Sequence, residues 1–266
     1  MKYLFYSLKL YLKLPLYWCC IAGIILAYIV ITSSELLVFK PELSYLLVFG
    51  FGLDIANVSY FIIFGLTVAG LFCVDYHSNR LVFLLPRLGY VKYAASIVGI
   101  FALVIYSIGI FSFVGITLYN LIMTQLDFKD SMSDLIGGFL YRDHRLVEFL
   151  IVFFNNYILT VIFYGLLNLI ITICYPNKSL AFLIPVTLWF MFTHLKLESI
   201  LPVIFLPHLI LSQNNNLVDL FHYFKLPYSD ILSVILPAVY VILTACLCIL
   251  IMSWLLKHQH HYYEKE

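Results

Sequence analysis

Six long apolar runs set the pattern of the chain, at residues 16–34, 53–74, 94–122, 149–175, 179–194 and 231–256. A helix needs about 20 mostly apolar residues to cross a bilayer, so each run is a candidate span, with 179–194 the short one. The stretch 43–52 is also apolar, but Gly50 and Gly52 interrupt it. It is expected to be an extra turn packed on the outside. The first fourteen residues, "MKYLFYSLKLYLKL", have a different pattern. At about 100° per residue, Lys2, Lys9 and Lys13 fall in one stripe with Tyr6 beside them. Leu4, Leu8, Tyr11, Leu12 and Leu14 cover much of the rest. Pro15 then breaks the run. This predicts an interfacial helix over 1–14, lysines toward lipid phosphate.

The stretches between the runs divide into kinds. Residues 123–148 are polar and charged, with Gly137 and Gly138 between two clusters, and read as an exposed loop. Residues 195–230 hold two apolar pieces split by Pro202, Pro207 and a "QNNN" run. Each piece is too short to span, which predicts re-entrant or interfacial helices. The expected fold is an all-α polytopic membrane protein, one transmembrane domain over 1–266 with six transmembrane helices.

Composition agrees: 64% of residues are hydrophobic and 11% are charged, against about half and a quarter in a soluble domain. The net charge of +1 hides a segregation. With both termini inside, the inner segments carry nine bases and three acids, net +6, and the outer ones six bases and eleven acids, net −5. The positive-inside rule therefore predicts cytoplasmic termini in a plasma membrane. Cys19, Cys20, Cys73, Cys174, Cys246 and Cys248 lie in or beside apolar runs and read as free thiols.

The chain contains no P-loop, no G-x-S-x-G, no H-E-x-x-H and no C-x-x-C. This speaks against nucleotide hydrolysis by the chain itself and predicts no catalytic and no metal-ligating residues. Nor does anything predict nucleic-acid binding. The central parts of the six runs hold no Asp, Glu, Lys, Arg or His. Ion-coupled transporters usually carry such residues inside the membrane, so energy for any transport is expected from elsewhere. The uncharged polar residues in the runs include Tyr106, Ser107, Ser112, Thr117, Asn155, Asn156 and Asn168. Of these, Tyr106, Ser112, Asn155 and Asn156 are candidates for a substrate path. Interhelical hydrogen bonding is the commoner role of any one such residue. Asp54 and Glu148 stand at run starts, where an acid complements a helix N-terminus. His258, His260 and His261 belong to a tail read as solvated.

The connector "DYHSNRLVFLLPRLGYVKY", residues 75–93, is too greasy for a plain turn between spans. Asp75 closes the second run. Ser78 or Asn79 is expected to cap a short helix that Pro86 stops. Its apolar body is Leu81, Val82, Phe83, Leu84 and Leu85, flanked by Arg80 and Arg87. Two roles fit: a basic anchor on anionic lipid, or a coupling helix that docks in a groove on a soluble motor subunit.

This layout resembles an ABC-2 type permease, the membrane subunit of a type V ABC exporter. The likeness lies in the interfacial N-terminal helix, the six spans, the short helix between spans two and three and the re-entrant piece before span six. Asp75, Pro86, Arg87, Tyr90 and Lys92 occupy places where that family carries an acid, a Pro, an Arg, an aromatic and a Lys, although "DYHSNR" replaces its usual Glu and Gly-Thr. The resemblance implies coupling through Asp75, Arg80, Leu81, Phe83, Leu84, Pro86 and Arg87. It further implies ATP-binding cassette ATPase subunits as partners, ATP bound there and no cofactor in this chain. A second permease chain, identical or not, is expected alongside. The implied function is export of an amphipathic substrate, whether peptide, toxin, drug or lipid-like molecule. The competing expectation is a non-transporting sensor or immunity protein that binds a peptide at the outer face.

Overall fold

The computed structural model describes residues 8–9, 11–38, 43–52, 58–60, 62–63, 71–124, 140, 143–194, 211 and 230–263. Among them the chain is all-helical, with no strand. The helices are α1 (Pro15–Val38), α2 (Leu43–Gly52), α3 (Leu71–His77), α4 (Leu81–Leu88), α5 (Tyr90–Met123), α6 (Leu146–Cys174), α7 (Lys178–His194) and α8 (Asp230–Tyr263). Four segments are long and apolar enough to cross a membrane: Pro15–Ser33, Tyr90–Met123, Leu146–Cys174 and Val234–His258. They match the first, third, fourth and sixth predicted runs. In hydrocarbon every backbone polar group needs an internal partner, so these runs become helices despite their many Val and Ile residues. The fifth run forms α7, which has 17 residues with Pro185 inside and is shorter than those four. Most of the second run and nearly all of 195–230 lie outside the described residues, as do most of residues 1–10.

Helix α5 is the central post, lying against α1, α6 and α8. Small residues allow the close approach: a side chain at Gly165 of α6 would strike the ring of Phe101 on α5. Polar side chains tie the helices together at separate points. Asn120 Nδ2 donates to the Tyr28 hydroxyl at 2.9 Å, and that hydroxyl reaches the Leu46 carbonyl at 3.3 Å, joining α5, α1 and α2.

Two expectations need correcting. Residues 43–52 are neither broken nor packed outside. They form the continuous helix α2, with Leu43, Leu46, Leu47 and Phe51 buried. The Phe51 ring lies 4.9 Å from Tyr157 and 5.8 Å from Phe113, which itself stacks on Phe154 at 4.1 Å. Gly50 serves close approach rather than interruption, because a Cβ there would collide with the Tyr28 ring. At the end of the chain α8 stays helical to Tyr263, through the histidine-rich stretch, with Lys257 and His258 exposed. The second correction concerns the connector and follows below.

Candidate functional site

The connector is a helix–turn–helix built from α3, a three-residue turn and α4. The turn rests on Asn79, whose φ of 54° lies in the left-handed region, a conformation Asn tolerates better than most residues. Its N–H donates to the Tyr76 carbonyl at 3.1 Å, and the Arg80 N–H donates to the Asp75 carbonyl at 3.0 Å. Neither Ser78 nor Asn79 caps α4. The capping position falls on Arg80, with no side-chain cap, because Asn79 is committed to the turn. Nor does Pro86 stop the helix, which runs on to Leu88. It ends at Gly89, where φ is 75° and the N–H donates to the Leu85 carbonyl at 2.8 Å. That left-handed backbone, which glycine adopts freely, turns the chain into α5.

Helix α4 presents two apolar faces. Leu81, Leu84, Leu85 and Leu88 recur at i, i+3, i+4 and i+7, hence on one stripe. Leu85 is buried, and the other three are half-buried against the core. The second face is open: Val82 is 62% exposed and Phe83 66%, with Pro86, Arg80 and Arg87 also exposed. The predicted coupling residues therefore divide. Phe83, Pro86, Arg80 and Arg87 are available to a partner, whereas Leu81 and Leu84 lean on the chain's own body.

Asp75 fixes this unit to the bundle. It is buried, and its Oδ2 accepts a hydrogen bond from the Tyr93 hydroxyl at 3.0 Å, so α3 is tied to the start of α5. A buried carboxylate is tolerated only with hydrogen-bond partners, and Tyr93 is itself fully buried. The His77 ring lies 2.9 Å from the Pro176 carbonyl through Nε2, linking α3 to the turn between α6 and α7. Tyr11, from the N-terminal segment, lies in the same neighbourhood. Burial pushes its phenol up to about 12; the Asp75 carboxylate adds to the rise and Arg80 opposes it. Four parts of the chain therefore meet beneath α4. Sequence reasoning missed Tyr93, His77 and Tyr11. Tyr93 sits eighteen positions from Asp75, but a turn, the separate helix α4 and the bend at Gly89 lie between them, so no continuous helical register relates the two.

At the other end of the bundle, α5 and α6 diverge into an open apolar groove of about 510 Å³. Tyr106 and Asn155, two of the four predicted path residues, line it together, and the Tyr106 hydroxyl donates to Asn155 Oδ1 at 2.9 Å. The other two do not line it. Ser112 is fully buried, and its hydroxyl has no partner among the described residues. Asn156 is buried and donates from Nδ2 to the Leu211 carbonyl at 3.4 Å. Thr160 reaches the same carbonyl at 2.8 Å. Leu211, the one described residue of 195–229, is thereby held against α6. Glu148 stands in the first turn of α6 as expected and pairs there with Arg145.

These features define an all-helical protein with four helices apolar enough to cross a membrane and a short two-faced helix mounted at one end of them. Comparison with protein-family models, curated proteins and solved structures finds no match to this chain.

Proposed function

We propose that the chain is the permease subunit of an ABC exporter, moving an amphipathic substrate out of the cell on energy supplied by a separate ATPase. One observation carries this reading: α4 buries one apolar face on its own bundle and leaves Val82, Phe83 and Pro86 uncovered between Arg80 and Arg87. A lipid anchor would need no buried carboxylate beneath it. A helix that transmits force does need a stiff mount, and the Asp75–Tyr93 bond supplies one. Arg and aromatic side chains are enriched at protein interfaces. The missing P-loop and the uncharged span centres favour an energy source in a partner. On this reading the connector lies in the cytoplasm with both termini, and two permease chains meet two ATPase subunits in a bacterial plasma membrane.

The orientation has a direct check. Membrane-impermeant maleimide applied to intact cells labels single cysteines introduced at 130–140 and spares those at 78–82. Labelling at 78–82 reverses the topology and ends the docking proposal.

The function is tested with proteoliposomes holding the chain and the cassette ATPase of its gene neighbourhood. The chain alone hydrolyses no ATP; with the subunit, a fluorescent amphipathic substrate moves only when ATP is hydrolysed. Movement driven by a proton gradient with no ATPase present refutes the reading. ATP-independent peptide binding with no movement favours the sensor or immunity protein.

A further inference from the structure

We infer that His77 is a positioning residue: its bond to the Pro176 carbonyl locks the connector onto the turn between α6 and α7, so that the two move as one unit. Helix α4 lies along α5 and joins it through the single residue Gly89. Asp75 reaches the same helix through Tyr93. His77 ties the connector elsewhere. It is the last residue of α3, and its Nε2 lies 2.9 Å from a carbonyl 99 positions along the chain. A carbonyl only accepts, so Nε2 carries the proton and donates. The neutral ring with its proton on Nε2 and the charged ring can both do so.

Both partners are held ready for this bond. In the turn at 175–177 the Tyr175 N–H donates to the Ile171 carbonyl at 3.0 Å, and the Asn177 N–H donates to the Tyr175 carbonyl at 2.7 Å. Asn177 Oδ1 accepts from the Ser179 N–H at 2.9 Å and so caps α7. Pro176, its own φ fixed by the ring, therefore sits between two tied residues, and its carbonyl meets α3. On the other side, the Asn79 and Arg80 N–H groups bond back to the Tyr76 and Asp75 carbonyls. The His77 ring stands edge-on to Tyr76, with centroids 5.5 Å apart. Two ordered turns joined by a bond open together; without it each can open alone. If α4 docks an ATPase, as proposed above, its displacement then reaches α6 and α7 as well as α5.

The test is hydrogen exchange of the full chain in phosphatidylcholine nanodiscs, with no ATPase present. His77→Phe keeps an aromatic ring and loses the donor; His77→Gln keeps a donor and loses the ring. His77→Phe should speed exchange by roughly three- to tenfold, the range of one hydrogen bond. It should do so at Asn79, Arg80, Asn177 and Ser179 together, on both sides of the lost bond. His77→Gln should restore part of the protection. Asn177→Ala, which removes the cap of α7, should speed exchange at Asn79 and Arg80 in the parent chain and not in the His77→Phe chain. The Tyr93 N–H, bonded to the Gly89 carbonyl, should keep its parent rate throughout. Faster exchange confined to Asn79 and Arg80 in the His77→Phe chain overturns the inference. So does an equal effect of Asn177→Ala in both backgrounds, or no change at any of these amides. With the ATPase, His77→Phe should lower the substrate moved per ATP hydrolysed and leave association unchanged. Failure of the ATPase to associate with the unaltered chain defeats the transport reading and leaves the exchange result standing.

Discussion

Phe51→Ala lowers the thermal unfolding temperature of the detergent-solubilised chain by roughly 10 °C. The reason lies in where α2 sits. Phe51 is 1% exposed, and its ring approaches Tyr28, Tyr60, Phe113, Phe153, Phe154 and Tyr157 with centroid separations of 4.9–5.8 Å. Its ring touches rings on α1, α5 and α6 at once. Removing a buried Phe costs about 3–5 kcal/mol where the site cannot collapse. A ring of stiff aromatics collapses poorly. In a chain of this size each kcal/mol shifts the midpoint by about 2–4 °C. Phe51→Leu keeps most of the volume and should recover more than half of the loss. A melting curve for Phe51→Ala within about 2 °C of the parent would show that α2 is not wedged into the core.

The second large effect separates the two faces of α4. Phe83→Ala should weaken association with the ATPase by more than tenfold, a loss of about 1.4 kcal/mol or more, and leave the melting temperature of the permease unchanged. Leu85→Ala should do the reverse. Leu85 is 7% exposed and packs on the core, so its truncation costs about 2–5 kcal/mol of stability and acts on docking only through the mount. Leu84 is half-buried and should show some of each effect. Arg80→Glu should harm docking more than Arg80→Ala if the partner's groove rim is acidic, because a reversed charge then adds repulsion. Affinity measured by co-purification and titration, with melting curves on the same samples, separates these outcomes. Wild-type affinity for the Phe83 variant, with normal transport, leaves α4 as an anchor on anionic lipid.

The helices themselves were legible in the sequence because each is decided locally. A run of about twenty apolar residues must satisfy its own backbone in hydrocarbon, and nothing distant alters that. The runs at 16–34, 94–122, 149–175 and 231–256 therefore reappear as α1, α5, α6 and α8 within a few residues at most ends. The greasy, Arg-flanked connector was equally plain, as was Asp75 at its root. Its turn was read less well. Ser78 and Asn79 are cap residues by type, yet a left-handed Asn79 and a helix start at Leu81 are set by how α3 meets α4. Gly50 misled for a similar reason: glycine is permissive both as a breaker and as a place for close approach, and only the Tyr28 ring beside it shows which applies.

Which faces of the spans matter was decided by the tertiary structure alone. In a soluble helix an apolar stripe marks the core, but lipid is as apolar as a side chain, so α5 and α6 carry no such mark. Asn155 and Asn156 are neighbours in sequence about 100° apart around the helix. One opens on the groove with Tyr106, and the other is buried beneath Leu211. The order of residues by itself determined four helices long and apolar enough to cross a membrane, with no charge in their central parts. The pairing of Asp75 with Tyr93, the burial of one face of α4 and the exposure of Phe83 on the other arise only when helices distant in sequence pack together. No local period encodes which side chain a neighbouring helix will cover.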